Sequence, residues 1–264
     1  MDAESCKALC RPDRGAALSL DQAIAAFHVL SPRCRFVKTL PRGGSLLDAG
    51  AGDGSLQVYR TWPDPPRKDL QMFAWAGIKG GSFDSYDGYE IGVWPGQKPA
   101  FGGRRFDAVL AANFIEHIDD PVAFVEFTIS LLTPGGRLYL EWPRPESIAL
   151  PTASELAELG VNVMTGNYFD DATHRADVPD FGMIRDVIVG RGLIVRESGI
   201  AAVPFVDQEL AIHAGATGDI VLMTLAYWSI TGWCRFIVAE MPAFEDSPAA
   251  ERCSAAGAAP LPPD

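Results

Sequence analysis

A chain of 264 residues fits one large domain or two small ones and is long enough to bury a sizeable core. Its 48% hydrophobic and 21% charged residues place it among folded globular proteins rather than disordered ones. The net charge of −12 argues against binding nucleic acid through phosphates, which needs a basic face; the local run Arg33, Arg35, Lys38 and Arg42 reads as a solvated helix face.

Cys6, Cys10, Cys34, Cys234 and Cys253 are odd in number and form no CxxC pair. Neither a disulfide framework nor a zinc site is indicated, no metal is expected, and reduced thiols point to a cytoplasmic setting. The opening "MDAESCKALCRPDRG" lacks the apolar segment of a signal peptide. The longest apolar stretch, 220–233, is too short to span a bilayer.

In chain order, residues 1–18 read as a flexible N-terminus. Ser19 and Gln22 have capping-box spacing and open the first of two helices within 19–42. "SLLDAG" at 45–50 is a short buried strand, followed by a glycine-rich turn and a helix over 55–62. "LQMFAWAGI" is a second strand, and "YEIGV" a short one in an otherwise irregular stretch. "RFDAVLAAN" is a buried strand, and "DDPVAFVEFTISLL" a helix capped by Asp120 with Pro121 at its first position. "TPGG" reads as a turn before the strand "RLYLEWP". A loop with one helical piece leads to the helix "VPDFGMIRDVIVGRG". Two final strands, "LIVRESGIAAVP" and "WCRFIVAEMP", flank a helical insertion at about 205–232. The apolar helix at 219–231 within it is a candidate lid or homodimer surface, and 243–264 is compositionally disordered. The core thus runs over 45–242 of a single domain spanning 19–242. Alternating strands and helices predict an α/β, Rossmann-like, doubly wound sheet.

In such a sheet ligands bind beyond the strand ends at the switch point, where the first turn lies. That turn reads Asp48, Gly50, Ala51, Gly52 and Gly54. A dinucleotide fingerprint would need glycine at Ser55, and Asp48 is poorly placed beside a pyrophosphate, so a nicotinamide dehydrogenase is disfavoured. An acid there suits a cationic ligand.

With "LLDAGAGDG" and "FDAVLAANFIEHIDDPVAFVEFTISLLTPGGRLYLEWP", the sequence resembles the class I S-adenosylmethionine-dependent methyltransferases over about 45–240. The resemblance implies a seven-stranded sheet, mostly parallel with an antiparallel last strand, and S-adenosylmethionine as cofactor. It implies that Asp48, Gly50, Ala51 and Gly52 line the methionine part, with Gly54 serving either the ligand or the start of the helix. Asn113 and Phe114 would lie near the methionine end and the transferable methyl. The chain departs from the family where Ala76 and Gly77 replace the usual ribose-binding acid, leaving Asp84, Asp87 or Glu90 as substitutes.

Methyl transfer to a hydroxyl is helped by a base, and histidine suits that role. His174 lies in "FDDATH", which resembles stretches in a branch that includes enzymes of polysaccharide and secondary-metabolite assembly. It is the first candidate and His117 the second, with Asp170 or Asp171 to orient the ring. His28 reads as helix packing, and His213 has no assigned role. Trp142, Tyr168, Phe169, Tyr227 and Trp228 are candidate walls of an acceptor pocket, Trp142 favoured by its place at a strand end. The expected activity is methyl transfer to a small-molecule hydroxyl of a sugar or natural product. N-methylation, or a methyltransferase-like binding or assembly protein with weakened catalysis, is the alternative.

Overall fold

The fold was analysed in a computed structural model that describes residues 1–243. The tail expected at 243–264 therefore lies, but for its first residue, outside the described residues.

Seven strands form one sheet: β1 (Ser45–Ala49), β2 (Gln71–Ala76), β3 (Gly88–Ile91), β4 (Phe106–Ala112), β5 (Leu132–Pro143), β6 (Ile194–Ile200) and β7 (Cys234–Glu240). Their spatial order is β3-β2-β1-β4-β5-β7-β6. Strands β1 to β5 run parallel, whereas β7 is antiparallel to both β5 and β6. The order steps outward from β1 to β3 and then returns to β4, so the switch point falls between β1 and β4. Every residue of β1 is buried, which is why Leu46 and Leu47 stand side by side instead of alternating with polar residues.

The helices are α1 (Ala3–Cys10), α2 (Leu20–Leu30), α3 (Pro32–Lys38), α4 (Pro121–Ser130), α5 (Ala153–Glu158), α6 (Phe181–Gly190), α7 (Val206–Thr217) and α8 (Ile220–Thr231). On one sheet face Leu47, Trp75, Val109 and Leu140 pack with Phe124 of α4 and Ile184 of α6. On the other, Leu46, Met72, Leu110 and Tyr139 pack with Phe36 and Val37 of α3. A third core joins Cys6 and Cys10 of α1, Phe27 of α2, Leu156 of α5, Leu210 of α7 and Tyr227 of α8. This helical layer stands beside the carboxyl ends of β4 and β5.

Three local expectations change. The N-terminus, expected as an irregular segment, carries a helix: Asp2 caps α1, and Cys6 and Cys10, one turn apart, are both fully buried. Two thiols and few other apolar groups gave that face a weak sequence signal. The helix expected at 55–62 is a 3-10 helix over Ser55–Arg60, entered from left-handed Gly54. The "TPGG" segment lies within β5, which begins at Leu132. The capping box of Ser19 and Gln22 and the cap at Asp120 form as expected.

Candidate functional site

The turn after β1 is bent by paired backbone bonds. The Gly50 and Ala51 N–H groups both donate to the Trp75 carbonyl, at 2.8 and 3.1 Å. Gly50, Gly52 and Gly54 all have left-handed φ (80°, 55° and 82°), yet they serve different ends. A β-carbon at Gly54 would stand 2.8 Å from the Phe83 ring, so this glycine serves packing and the 3-10 start. A β-carbon at Gly50 would meet the Phe114 ring. At Gly52 nothing lies within 4 Å; this is the open side of the turn. Asp48 does not face that opening. It is 5% exposed, and its carboxylate accepts from the Tyr86 hydroxyl at 2.6 Å. Burial raises its pKa to about 6, against the opposing pull of that bond.

Asn113 and Phe114 leave the end of β4 in different directions. Asn113 takes a left-handed φ of 51°. Phe114 lines a cavity of about 360 Å³ with Trp75, Ala76, Val93, Trp94 and Asp119, at the ends of β2 and β3. Its size is in the range of small-molecule sites, roughly 300–1,000 Å³. No acid reaches it from β2 or the loop behind it. Asp84 pairs with Lys79, Asp87 with Arg60 and the Met72 N–H, and Glu90 accepts from the Ala100 and Phe101 N–H groups. The carboxylates that line the cavity instead follow β4: Asp119, paired with Arg175 at 2.9 Å, and Asp120, the cap of α4.

Asn113 lines a second cavity of about 140 Å³, under α2, α3 and α8. There Arg33 meets Glu141 at 2.5 Å, and the Tyr139 hydroxyl donates to the same carboxylate. His28 Nδ1 lies 2.9 Å from the Tyr59 hydroxyl, and burial lowers its pKa to about 4. Arg33 and Arg35 are thus engaged with Glu141 and Glu197 rather than forming a free basic patch.

A third space, about 70 Å³, opens between Asn113, Glu116, His117, Asp171, His174, Trp228 and Trp233. The structure brings His117 and His174 together, their ring centroids 4.8 Å apart. His174 stacks on Tyr168 at 4.4 Å and places Nδ1 against the Tyr168 carbonyl. His117 Nδ1 lies 2.9 Å from the Thr173 hydroxyl, which donates to Asp171 at 2.6 Å. Burial, then the neighbouring His174, hold the His117 pKa below its ordinary value. Asp171 therefore orients His117 through Thr173; its carboxylate stands 3.9 Å from His174 Nε2.

Three expected acceptor contacts take other roles. Trp142 is fully buried, donates to the Pro179 carbonyl and lines none of these three cavities. Tyr168 is also buried and supports His174 from behind. Asp170 spends one carboxylate oxygen on the N–H groups of Ala153, Gly166 and Asn167, stapling the loop. Trp228 does line the Asn113 side; His213 packs against the Leu18 carbonyl. Sequence reasoning missed Glu116, which sits between two residues it did mark, and the Arg33–Glu141 pair, whose partners lie 108 positions apart.

A sheet in this order, with a glycine turn open at the switch point and an apolar cavity beside it, defines the class I S-adenosylmethionine-dependent methyltransferases. A family model described as a methyltransferase domain matches residues 23–178, more than half of the sequence, and the chain belongs to that family. It is 30% identical over 123 residues to a ubiquinone biosynthesis O-methyltransferase of Xylella fastidiosa strain 9a5c, covering 43% of this chain and 48% of that protein. The chain thus spans about half the length of the curated relatives it matches. The fold is shared with a plantazolicin methyltransferase solved with a triazolic desmethylPZN analog and SAH (TM-score 0.51, 10% identity, 83% of this chain and 84% of that one). It is shared equally with a coclaurine N-methyltransferase bound to N-methylheliamine and SAH (TM-score 0.51, 10% identity, 89% and 80%). S-adenosylmethionine is the cofactor of this family, and the open face of Gly52 and the apolar cavity at Phe114 fit it. Among the described residues no helix is long and apolar enough to cross a membrane.

Proposed function

We propose that the protein transfers a methyl group from S-adenosylmethionine to a hydroxyl of a small-molecule acceptor, such as a sugar or natural product. The observation that carries this reading is the division made by Asn113 and Phe114. The apolar cavity opens on the Phe114 side and the smaller space on the Asn113 side; His117 lines both, and His174 lines only the second of the two. When bound, the cofactor supplies an electrophilic methyl group. Gly52 and Phe114 would hold it, with Asp119 or Asp120 as the carboxylates within reach of the cavity. The acceptor would enter beside Trp228 and Asn113. His174 offers Nε2 as a base, since its Nδ1 is turned to the Tyr168 carbonyl. The likeness to an O-methyltransferase supports oxygen as the atom methylated.

The test is a panel of hydroxylated acceptors with labelled cofactor, read as transfer of label. Transfer to hydroxyl-bearing compounds is expected; transfer confined to amines would overturn the choice of oxygen. A second reading, a binding or assembly protein with weakened catalysis, is favoured by one observation: no acid from β2 or β3 reaches the cavity. Micromolar cofactor binding without turnover on any acceptor, together with a stable protein complex, would select it.

A further inference from the structure

Beyond the end of β4 three side chains converge with nothing among the described residues to donate to them. Glu116 is 1% exposed, and neither of its carboxylate oxygens has a hydrogen-bond partner. Burying a carboxylate in that way is costly unless a cation or donor meets it.

The two imidazoles beside it also present lone pairs. A carbonyl can only accept, so the Tyr168 carbonyl takes the proton of His174 Nδ1, and His174 Nε2 is bare. The Thr173 hydroxyl has one proton and gives it to Asp171, so its oxygen accepts from His117 Nδ1. His117 Nε2 is then bare as well. One ligand atom from each of Glu116, His117 and His174 lies within 4.8 Å of the others.

We propose that Glu116, His117 and His174 bind a divalent first-row transition-metal ion. Two imidazoles and a carboxylate form the donor set of open catalytic zinc sites and of non-haem iron sites, whereas magnesium prefers all-oxygen surroundings. Ligand atoms about 2.1 Å from one tetrahedral ion stand roughly 3.4 Å apart, so the cluster closes by up to about 1.4 Å on binding. The supports expected around ligating histidines are in place: a backbone carbonyl behind His174, and a hydroxyl backed by a carboxylate behind His117. The space of about 70 Å³ shared with Asn113, Trp228 and Trp233 leaves room for a further small ligand. Resting on the reading given above, that ligand is an oxygen of the acceptor. An ion there would lower the pKa of that hydroxyl, whose proton would pass to solvent or to Asp171 in the same space, with His174 as a ligand rather than as the base.

The full chain, stripped with EDTA, is titrated with zinc chloride by calorimetry, and with cobalt chloride followed by its visible absorption. One ion per chain, bound in the micromolar range or tighter, is expected. Glu116→Gln keeps the size of the side chain and replaces a carboxylate ligand by an amide, so it should stay folded and bind zinc at least about tenfold more weakly. His174→Ala should do the same, and a hundredfold excess of magnesium should not compete. Failure to bind zinc at about 100 µM, or equal affinity in both variants, overturns the proposal. SAH is titrated into the same samples. Metal binding without SAH binding would leave the site standing and remove the methyl-transfer reading; SAH binding without metal would do the reverse.

Discussion

Phe114 lies against Gly50 so closely that a β-carbon at position 50 would stand 2.4 Å from ring atom Cδ2. The glycine is there to admit an aromatic ring of its own chain. A β-carbon at Gly52, two residues on, would meet no atom of the described residues within 4 Å. The two positions therefore separate fold from ligand. Gly50→Ala combines a clash with a left-handed backbone and should cost about 2–5 kcal/mol, read as a lower urea midpoint. Gly52→Ala bears only the backbone strain, about 1–2 kcal/mol, but should weaken SAH binding measured by calorimetry. Unchanged SAH affinity in Gly52→Ala would mean that the ligand does not approach the turn.

The buried Asp48–Tyr86 pair predicts a pH dependence. The Asp48 carboxyl has a pKa of about 6 in the fold, above its ordinary 3.8. Between those values the folded chain keeps a proton that the unfolded chain has lost. The stability from this group is therefore full below about pH 4 and is lost as pH rises through 6, by up to about 3 kcal/mol. Asp48→Asn should remove this component. The difference between wild-type and variant urea midpoints from pH 4 to 7 checks it; parallel curves would show an unshifted carboxyl.

Much of the fold was legible because its signals are local. The paired leucines of β1, the capping box at Ser19, and Asp120 followed by Pro121 each state their structure within a few residues. The glycine turn was legible as a turn, but not in its division of labour. Phe114 and Phe83, which occupy Gly50 and Gly54, arrive from 64 and 29 positions further along the chain, a relation that no local pattern carries. The site was half legible for the same reason. His117 and His174 were marked separately and the fold joins them, whereas Trp142 at a strand end read as a pocket wall and is core. Alternation along β5 cannot tell which face is a cavity and which is the packing surface of α6.

His174 lines the small space at Asn113 and not the cavity at Phe114, though His117 borders both, so the effects on turnover and on SAH binding should separate. His174→Gln should lower turnover by about 10²–10⁴-fold, the usual worth of a positioned group for proton transfer or ligation. SAH affinity should change by less than about twofold, since no atom of His174 lines the cavity at Phe114. Steady-state rates beside calorimetry on one preparation check both halves. A parallel fall in SAH affinity would show that the two spaces are one site.

Arg33 and Glu141 test the cavity under α3. The Glu141 carboxylate is buried between the Arg33 guanidinium and the Tyr139 hydroxyl. Arg33→Met keeps an apolar stem but leaves the carboxylate with one neutral donor. Hydrogen bonds to charged groups contribute about 1.5–3 kcal/mol, and an unpaired buried charge adds its own penalty, so a loss of at least about 2 kcal/mol is expected. The double variant Arg33→Met/Glu141→Gln removes the stranded charge and should recover most of that loss. Denaturation midpoints of the two single variants and the double give the coupling energy directly. Additive single and double effects would mean that the pair is not coupled in solution, and that α3 is held over the sheet by its other contacts, Cys34, Phe36 and Val37 among them.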